Sequence, residues 1–471
     1  MPFPNFPNIR MLNRDRLVPI IVASPLFLQN LDTSVMATAL PSIAASLNVP
    51  PLHLNLAITC YLLSLAVFLP ISGWLAERLG ARRVFCLAIG FFSLGSALCG
   101  AANSLAELVL FRVIQGLGGA MMVPVGRLIL LQSVSQSQMI SAMVWFTVPP
   151  VLGRMVGPLF GGAIVTVTSW RWIFFVNIPF GLLAVFLALA FVEEKEKVTV
   201  PVPFDIKGFV LLASGLSALL GALETAGKAL TPVWVSWLVA GIGLLALMLY
   251  YLHGRRRKNP LIDLSILRFR TFKTNLVGGM PLRIAIGASP FLLPLMLQLG
   301  FGLSPLASGL LTVATAVGSL GTRFVIKRAI QGFGFRPLLL GASVMTSLIY
   351  MSYSQFSPST SHLLMFCMML MGGLVNSLCM VTLSTLGFSD IPQSRMSHAT
   401  TLSSMGQQLS VSFGVVLGAA LVSAASWWHG GDATHLQAGD FSPAFVVVGM
   451  LTMLSFFPFL KLHPKVGSGL H

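Results

Sequence analysis

Apolar residues in this chain come in unbroken stretches of about twenty, separated by short polar or basic connections, from Leu17 to Leu460. A stretch of that length spans a bilayer as an α-helix, and continuous rather than alternating apolar character argues against a membrane β-barrel. The pattern predicts spans at residues 17–45, 55–76, 84–103, 106–130, 139–166, 170–192, 206–226, 233–253, 272–299, 305–326, 337–355, 361–386, 397–426 and 441–460, fourteen in all. The first run carries Asp32 and is followed by many more, so it is read as the first span and not as a removable leader.

Two connections differ from the rest. One, from Glu193 to Lys207, mixes charges; the other, from Gly254 to Lys273, carries RRRK; one helix pair lies between them. The expected fold is thus an all-α membrane protein arranged as 6+2+6: a six-helix bundle over 1–192, linkers and an inserted two-helix hairpin over 193–271, and a second six-helix bundle over 272–471. A weak internal repeat supports two related halves. GWLAERLGARR from Gly73 follows the second span, and KRAIQGFGFR from Lys327 follows the tenth.

The 471 residues are 55% hydrophobic and only 9% charged, far from the roughly 25% of a soluble domain. A net charge of +16 raises nucleic-acid binding as a possibility, but placement decides against it. Most of the 29 Lys and Arg lie at the termini and on alternate connections, among them Arg78, Arg82, Arg83 and the run Arg255 to Lys258. The opposite connections hold Arg171 and Lys228, with Glu107, Asp432 and Asp440 on the same side. The charge is therefore a topology signal that places both termini in the cytoplasm. Cys60, Cys86, Cys99, Cys367 and Cys379 read as small core residues, neither disulfides nor metal ligands. No metal and no cofactor is expected.

The polar residues inside spans carry the candidate chemistry. In GRMVGPLFGG, Gly153, Gly157 and Gly161 share a helical face and admit a neighbouring backbone, while Pro158 removes one helical hydrogen bond and invites a bend. Simple helix packing with a snorkelling Arg154 would give the same pattern. Asp32, in LDTSVMATALP, is the only acid deep in any span, so a partner or a water-filled cavity is expected for it; Glu224 sits near a span end. It is either a structural acceptor or a coupling group. Arg112, in LVLFRVIQGLGGA with Gln115 and Gly116 on the adjoining face, has Asp32 and backbone carbonyls as plausible partners. An arginine keeps its proton near neutral pH, so Arg112 can tune a neighbouring carboxylate without titrating itself. Arg127 is expected to reach the interface. In GWLAERLGARR the glycines Gly73 and Gly80 permit a tight turn, and Glu77 among Arg78, Arg82 and Arg83 can form a latch; a plain basic loop is the alternative.

These motifs together resemble the major facilitator superfamily, specifically its fourteen-span drug:proton antiporters and, among them, the MdtD-type multidrug resistance group. SWRWIFFVNIPFG from Ser169 and FLLPLMLQLGFGLSPLASG from Phe291 add to the likeness, whereas Glu77 and Ala81 depart from the usual loop motif. The resemblance implies a bacterial inner-membrane exporter working by alternating access, monomeric, with protons and a small molecule as its partners besides membrane lipid. It implies a cytoplasmic gate at Gly73, Glu77, Arg78, Gly80 and Arg82, proton tuning by Arg112, and bending of the fifth span at Gly157 and Pro158 within the motif Gly153, Gly157, Pro158, Gly161 and Gly162. Asp32 is read as the coupling site because no other acid lies as deep.

Charge complicates the substrate. Arg112, Arg154 and Arg283, with Arg323 as a further candidate, are expected to face one acid, which would suit an organic anion, such as a carboxylate metabolite or its metal chelate, better than a lipophilic cation. Arg154 and Arg283 are the candidate substrate residues; contact with carbonyls or headgroups is the alternative. An enzyme would need clustered acids, histidines or a nucleophile near the membrane, ATP-driven pumping would need a phosphate-binding loop, and a sensor would more often carry a soluble domain. None of these is evident. A channel suits a hinged fifth span less well than alternating access does.

Overall fold

The computed structural model describes residues 14–133, 139–194, 204–225, 233–257, 260–392, 395–430 and 436–463, and among them there is no strand. The leading helices are α1 (Arg14–Leu47), α2 (Asn55–Phe68), α3 (Ile71–Leu79), α4 (Ala81–Ala101), α5 (Leu105–Ser133), α6 (Met139–Val167), α7 (Trp172–Phe175) and α8 (Asn177–Phe191). The hairpin is α9 (Ile206–Thr225) and α10 (Val233–Arg256). The trailing helices are α11 (Arg270–Lys273), α12 (Met280–Leu295), α13 (Pro305–Phe333), α14 (Phe335–Tyr353), α15 (His362–Phe388), α16 (Met396–Trp428), α17 (Ala438–Met453) and α18 (Phe456–Leu460). Eleven helices or consecutive helical stretches among the described residues are long and apolar enough to cross a membrane. The expected fifth and seventh spans contain the shorter apolar helices Leu152–Val167 and Ile206–Ala222, and the expected eleventh coincides with α14.

Proline and glycine explain where spans break. The expected 55–76 span is two helices, because Pro70 between α2 and α3 has no N–H to continue the ladder. The expected 272–299 span is α12 bracketed by π-helical turns at Thr274–Gly278 and Met296–Gly300. The degenerate repeat is a real structural one: Gly80 (φ 96°) joins α3 to α4 and Gly334 (φ 76°) joins α13 to α14, each a single left-handed residue between consecutive helices. Gly73 does not make the turn assigned to it; it lies inside α3 with open space where a side chain would go.

The two sets of helices meet along α6 with α13 and α2 with α16. A Cβ on Gly309 would lie 2.2 Å from the Pro158 carbonyl oxygen, and one on Gly162 would lie 2.5 Å from that of Pro305, so backbones touch where α6 crosses α13. The hairpin leans on both sets: Leu212 and Leu216 of α9 share an apolar cluster with Val67 of α2 and with Ala399, Leu402 and Met405 of α16. Its base is closed by Asp205, which accepts hydrogen bonds from the Gly208 N–H (3.1 Å), pairs with Arg257 Nη1 (3.2 Å) and meets His253 Nε2 (2.9 Å). Burial alone would raise this carboxyl; the bonds from His253 and Gly208 outweigh it and hold the group below its usual range. Cys99 and Cys379 are buried as expected, but Cys367 is exposed on α15 and is not a core residue.

The glycines divide by what surrounds them. Gly73→Ala, inside a helix with room for the methyl group, should stabilise by about 0.4–1 kcal/mol, and Gly309→Ala, which must push two backbones apart, should cost about 1–3 kcal/mol. Thermal unfolding of both variants in the same detergent measures this; equal midpoints would contradict it.

Candidate functional site

Asp32 lies in the middle of α1 with its side chain 1% exposed, and three donors converge on it. Arg112 Nη1, from α5, is 2.5 Å from Oδ2; Gln115 Nε2, one turn further along the same helix, donates to Oδ1 at 2.9 Å; Asn177 Nδ2, the first residue of α8, donates to Oδ1 at 3.1 Å. Arg112 and Gln115 fall on one face because they are three residues apart, and Arg112 Nη1 also donates to Gln115 Oε1 at 2.8 Å. The guanidinium is flanked by the rings of Tyr61 (4.8 Å) and Phe174 (5.3 Å). Gly95 allows this arrangement, since a Cβ there would lie 2.5 Å from the Gln115 backbone nitrogen and hold α4 away from α5. The result is a desolvated ion pair whose oxygens are all engaged.

The α1–α6 contact is a second unit. Pro158 has no N–H, so the Arg154 carbonyl four residues earlier loses its helical donor; Ser34 Oγ of α1 donates to it at 3.2 Å. Gly157 makes room, because a Cβ there would lie 2.4 Å from Ser34 Cβ. Gly153 and Gly161 likewise face Phe27 and Val35, so the expected glycine face does admit a backbone, and α6 runs as one helix through Pro158. Gly162 belongs to a different face, against α13.

The arginines separate. Arg154 shares a helical stripe with Pro158 and Gly162, the residues that meet α13, and its Nε donates to Asn30 Oδ1 of α1 at 2.6 Å. The residue is exposed, and no carboxylate among the described residues pairs with it. Arg283 is 3% exposed, and both its Nη atoms donate to Asn275, to the backbone oxygen at 2.6 Å and to Oδ1. Asn275 stands in the first π-helical turn, packed against Gly387. Arg127 and Arg323 are exposed on α5 and α13. These arginines therefore do not share one acid: among the described residues, the arginine that pairs with Asp32 is Arg112.

The side chains of Glu77, just before the Gly80 turn, and of Glu224, near the end of α9, lie outside the described residues. Among the described residues, the acid that meets the loop arginines is Glu194, just beyond α8, 3.1 Å from Arg82 Nη2 and 3.0 Å from Arg83 Nε. Arg82 also donates to the Val192 oxygen at 3.1 Å, Arg78 lies over the Trp74 ring at 5.2 Å, and Trp74 packs on Phe204 at 5.0 Å. Glu194, Asn177, Ser96 and Tyr61 were not assigned from sequence. Glu194 was legible only as part of an acidic run and Asn177 as part of SWRWIFFVNIPFG; Tyr61 and Ser96 carry no local signal.

The family model described as Major Facilitator Superfamily matches residues 26–415. Proteins named "Putative multidrug resistance protein MdtD" from Escherichia coli and Shigella sonnei are 39% identical over 403 residues, covering 85% of this chain and 85% of theirs. Among solved structures, a POT family transporter in complex with 5-aminolevulinic acid aligns with TM-score 0.71 at 14% identity, over 96% of each chain. A D-xylose-proton symporter aligns with TM-score 0.68 at 15% identity, over 96% of this chain and 98% of its own. At such identities the two structures speak to the fold alone.

The two charge clusters should respond differently to loss of one partner. Arg112→Gln strands a buried carboxylate and should cost about 3–5 kcal/mol. Glu194→Gln removes a partly exposed partner and should cost under about 1 kcal/mol. Thermal midpoints in one detergent compare them, and a larger loss for Glu194→Gln would refute the ranking.

Proposed function

Because this chain belongs to the major facilitator superfamily, we propose that it is a proton-coupled exporter of small molecules, of the drug:proton antiporter type, working by alternating access. Membership makes it a multi-pass membrane transporter and not an enzyme, with curated homologues among multidrug resistance proteins. The observation that carries the coupling is the buried pair of Asp32 and Arg112. A carboxylate at that depth can take up a proton, and an arginine beside it stays charged whether or not the carboxylate has done so. The other acids buried among the described residues, Asp205 and Asp440, stand at helix ends.

In this reading the chain has fourteen spans as 6+2+6, with bundles over 1–192 and 272–471 and linkers and hairpin over 193–271, both termini in the cytoplasm, and acts as a monomer. The two sets rock about their α6–α13 and α2–α16 contacts. Gly153, Gly157, Pro158, Gly161 and Gly162 provide a close-packed pivot on both faces of α6. Gly80, Arg78 and Arg82, with Gly73 and Glu77 of the same motif, form the cytoplasmic gate, and Glu194 adds a carboxylate to it.

A second reading, export of organic anions or carboxylate metabolites and their metal chelates, is favoured by Arg154. Its guanidinium is tethered through Nε, on the stripe that faces the trailing helices, without a carboxylate partner among the described residues. Arg283 would have to leave Asn275 before meeting substrate.

Proteoliposome assays separate these statements. Asp32→Asn should reduce substrate-driven proton movement roughly a hundredfold, and full retention would remove Asp32 from the coupling. Arg154→Gln should weaken export of carboxylates about tenfold while sparing neutral substrates; equal loss for both would mark a folding defect instead.

A further inference from the structure

Among the described residues, every group that hydrogen-bonds Asp32 does so as a donor: Arg112 at Oδ2, Gln115 and Asn177 at Oδ1. A carboxyl that has taken up a proton has an O–H to give, and a donor facing that hydrogen must turn away or turn round. Arg112 has no acceptor atom. Gln115 Oε1 is already taken by Arg112 Nη1 and faces the Cys99 thiol at 3.8 Å.

Asn177 differs. It is 1% exposed, and its amide nitrogen uses both hydrogens, one on Asp32 Oδ1 and one on Ser96 Oγ at 3.0 Å. Its own Oδ1 is buried without a hydrogen-bond partner. The Ser96 hydroxyl gives its single hydrogen to the Phe174 backbone oxygen at 2.9 Å, and the Phe174 ring is one of the two that flank the Arg112 guanidinium. One chain of bonds thus runs from Asp32 through Asn177 and Ser96 to the wall of Arg112.

We propose that Asn177 is a positioning residue that reads the proton on Asp32: it donates to the carboxylate and, with its amide turned by half a rotation, accepts from the acid. The proposal rests on Asp32 being the coupling site. Turning the amide presents Oδ1 to Ser96 as well, so the Ser96 hydroxyl swings from Phe174 to Asn177 and releases the junction of α7 and α8. Phe174 then loosens over Arg112, and protonation in the leading set becomes a change in helix packing. One proton arrives on Asp32; Asn177 Oδ1, without a partner before, gains two donors, while the turned Nδ2 gives up both its acceptors and the Phe174 oxygen gives up its donor.

The titratable or charged groups facing Asp32 are Arg112 on α5, Tyr61 on α2 and Cys99 on α4, while α8 offers the neutral Asn177. The test must isolate Asp32 from Tyr61 and Cys99. Infrared difference spectra of the purified full-length protein, titrated with acid, follow the C=O stretch of a protonated carboxyl. A band present in the wild type and missing in Asp32→Asn belongs to Asp32. Asn177→Leu can neither donate nor accept and removes a charge-assisted bond, so it should move the half-appearance of that band, and of proton-driven transport, upward by about one pH unit. Asn177→Ala, less apt to clash, carries the same expectation. Asn177→Ser, whose hydroxyl can donate or accept, should return both midpoints to within about a third of a unit of wild type. Wild-type midpoints in Asn177→Leu and Asn177→Ala, or equal shifts in the apolar and serine variants, would overturn the relay. A band that survives Asp32→Asn, or never forms in the wild type, would instead remove the coupling site, and the relay with it.

Discussion

The leading helices are organised by one constraint: a carboxylate and a guanidinium have been taken out of water inside a bundle whose surroundings are hydrocarbon. Removing either partner alone leaves an uncompensated charge, so the pair holds only if the geometry is maintained by neighbours. Those neighbours are Tyr61 of α2, Ser96 of α4, Gln115 of α5, Phe174 of α7 and Asn177 of α8. The packing that brings them together is set by small residues, above all Gly95 against Gln115 and Gly116 against Ser64. A polar network of this kind also defines which helices must move together, because displacing any one of them opens a bond in the network.

The contact between α1 and α6 follows a different logic. Here two motifs far apart in sequence complete each other: Pro158 frees the Arg154 carbonyl, Ser34 supplies the missing donor, and Gly157 lets Ser34 approach. On an adjoining face, α6 presents Pro158 and Gly162 to α13. The helix therefore links the Asp32-bearing α1 to the trailing set, and Arg154 sits one turn from that crossing. The hairpin adds a separate bridge, with Leu212 and Leu216 lying against both α2 and α16 and its two ends closed by Asp205.

Much of the site was legible because residues that are costly in lipid are few. Asp32 was the one deep acid, Arg112 the natural partner, and the structure joins them. The glycine face of the GRMVGPLFGG segment was legible from spacing, and the glycine turn was legible at Gly80 but misassigned to Gly73, since only φ distinguishes a turn residue from a small residue inside a helix. Asn177 stood in a recognisable motif without a role, because an amide acquires one only from what lies opposite. Arg283 was legible as an arginine deep in a span, but its partner Asn275 was not, because the Asn275 carbonyl lies in a π-helical turn that no local pattern announced.

The sequence by itself determined that this is a helical membrane protein, the approximate extent of its helices, and which polar residues required an explanation. Those follow from transfer free energies and helical periodicity, which act locally along the chain. Only the tertiary structure decided which arginine is neutralised, which is enclosed and which is left exposed, and that Glu194, distant in sequence, meets the Gly80 turn. The reason is that pairing energies depend on the distance between atoms on different helices, and that distance is set by how closely the glycines between them allow the backbones to pack.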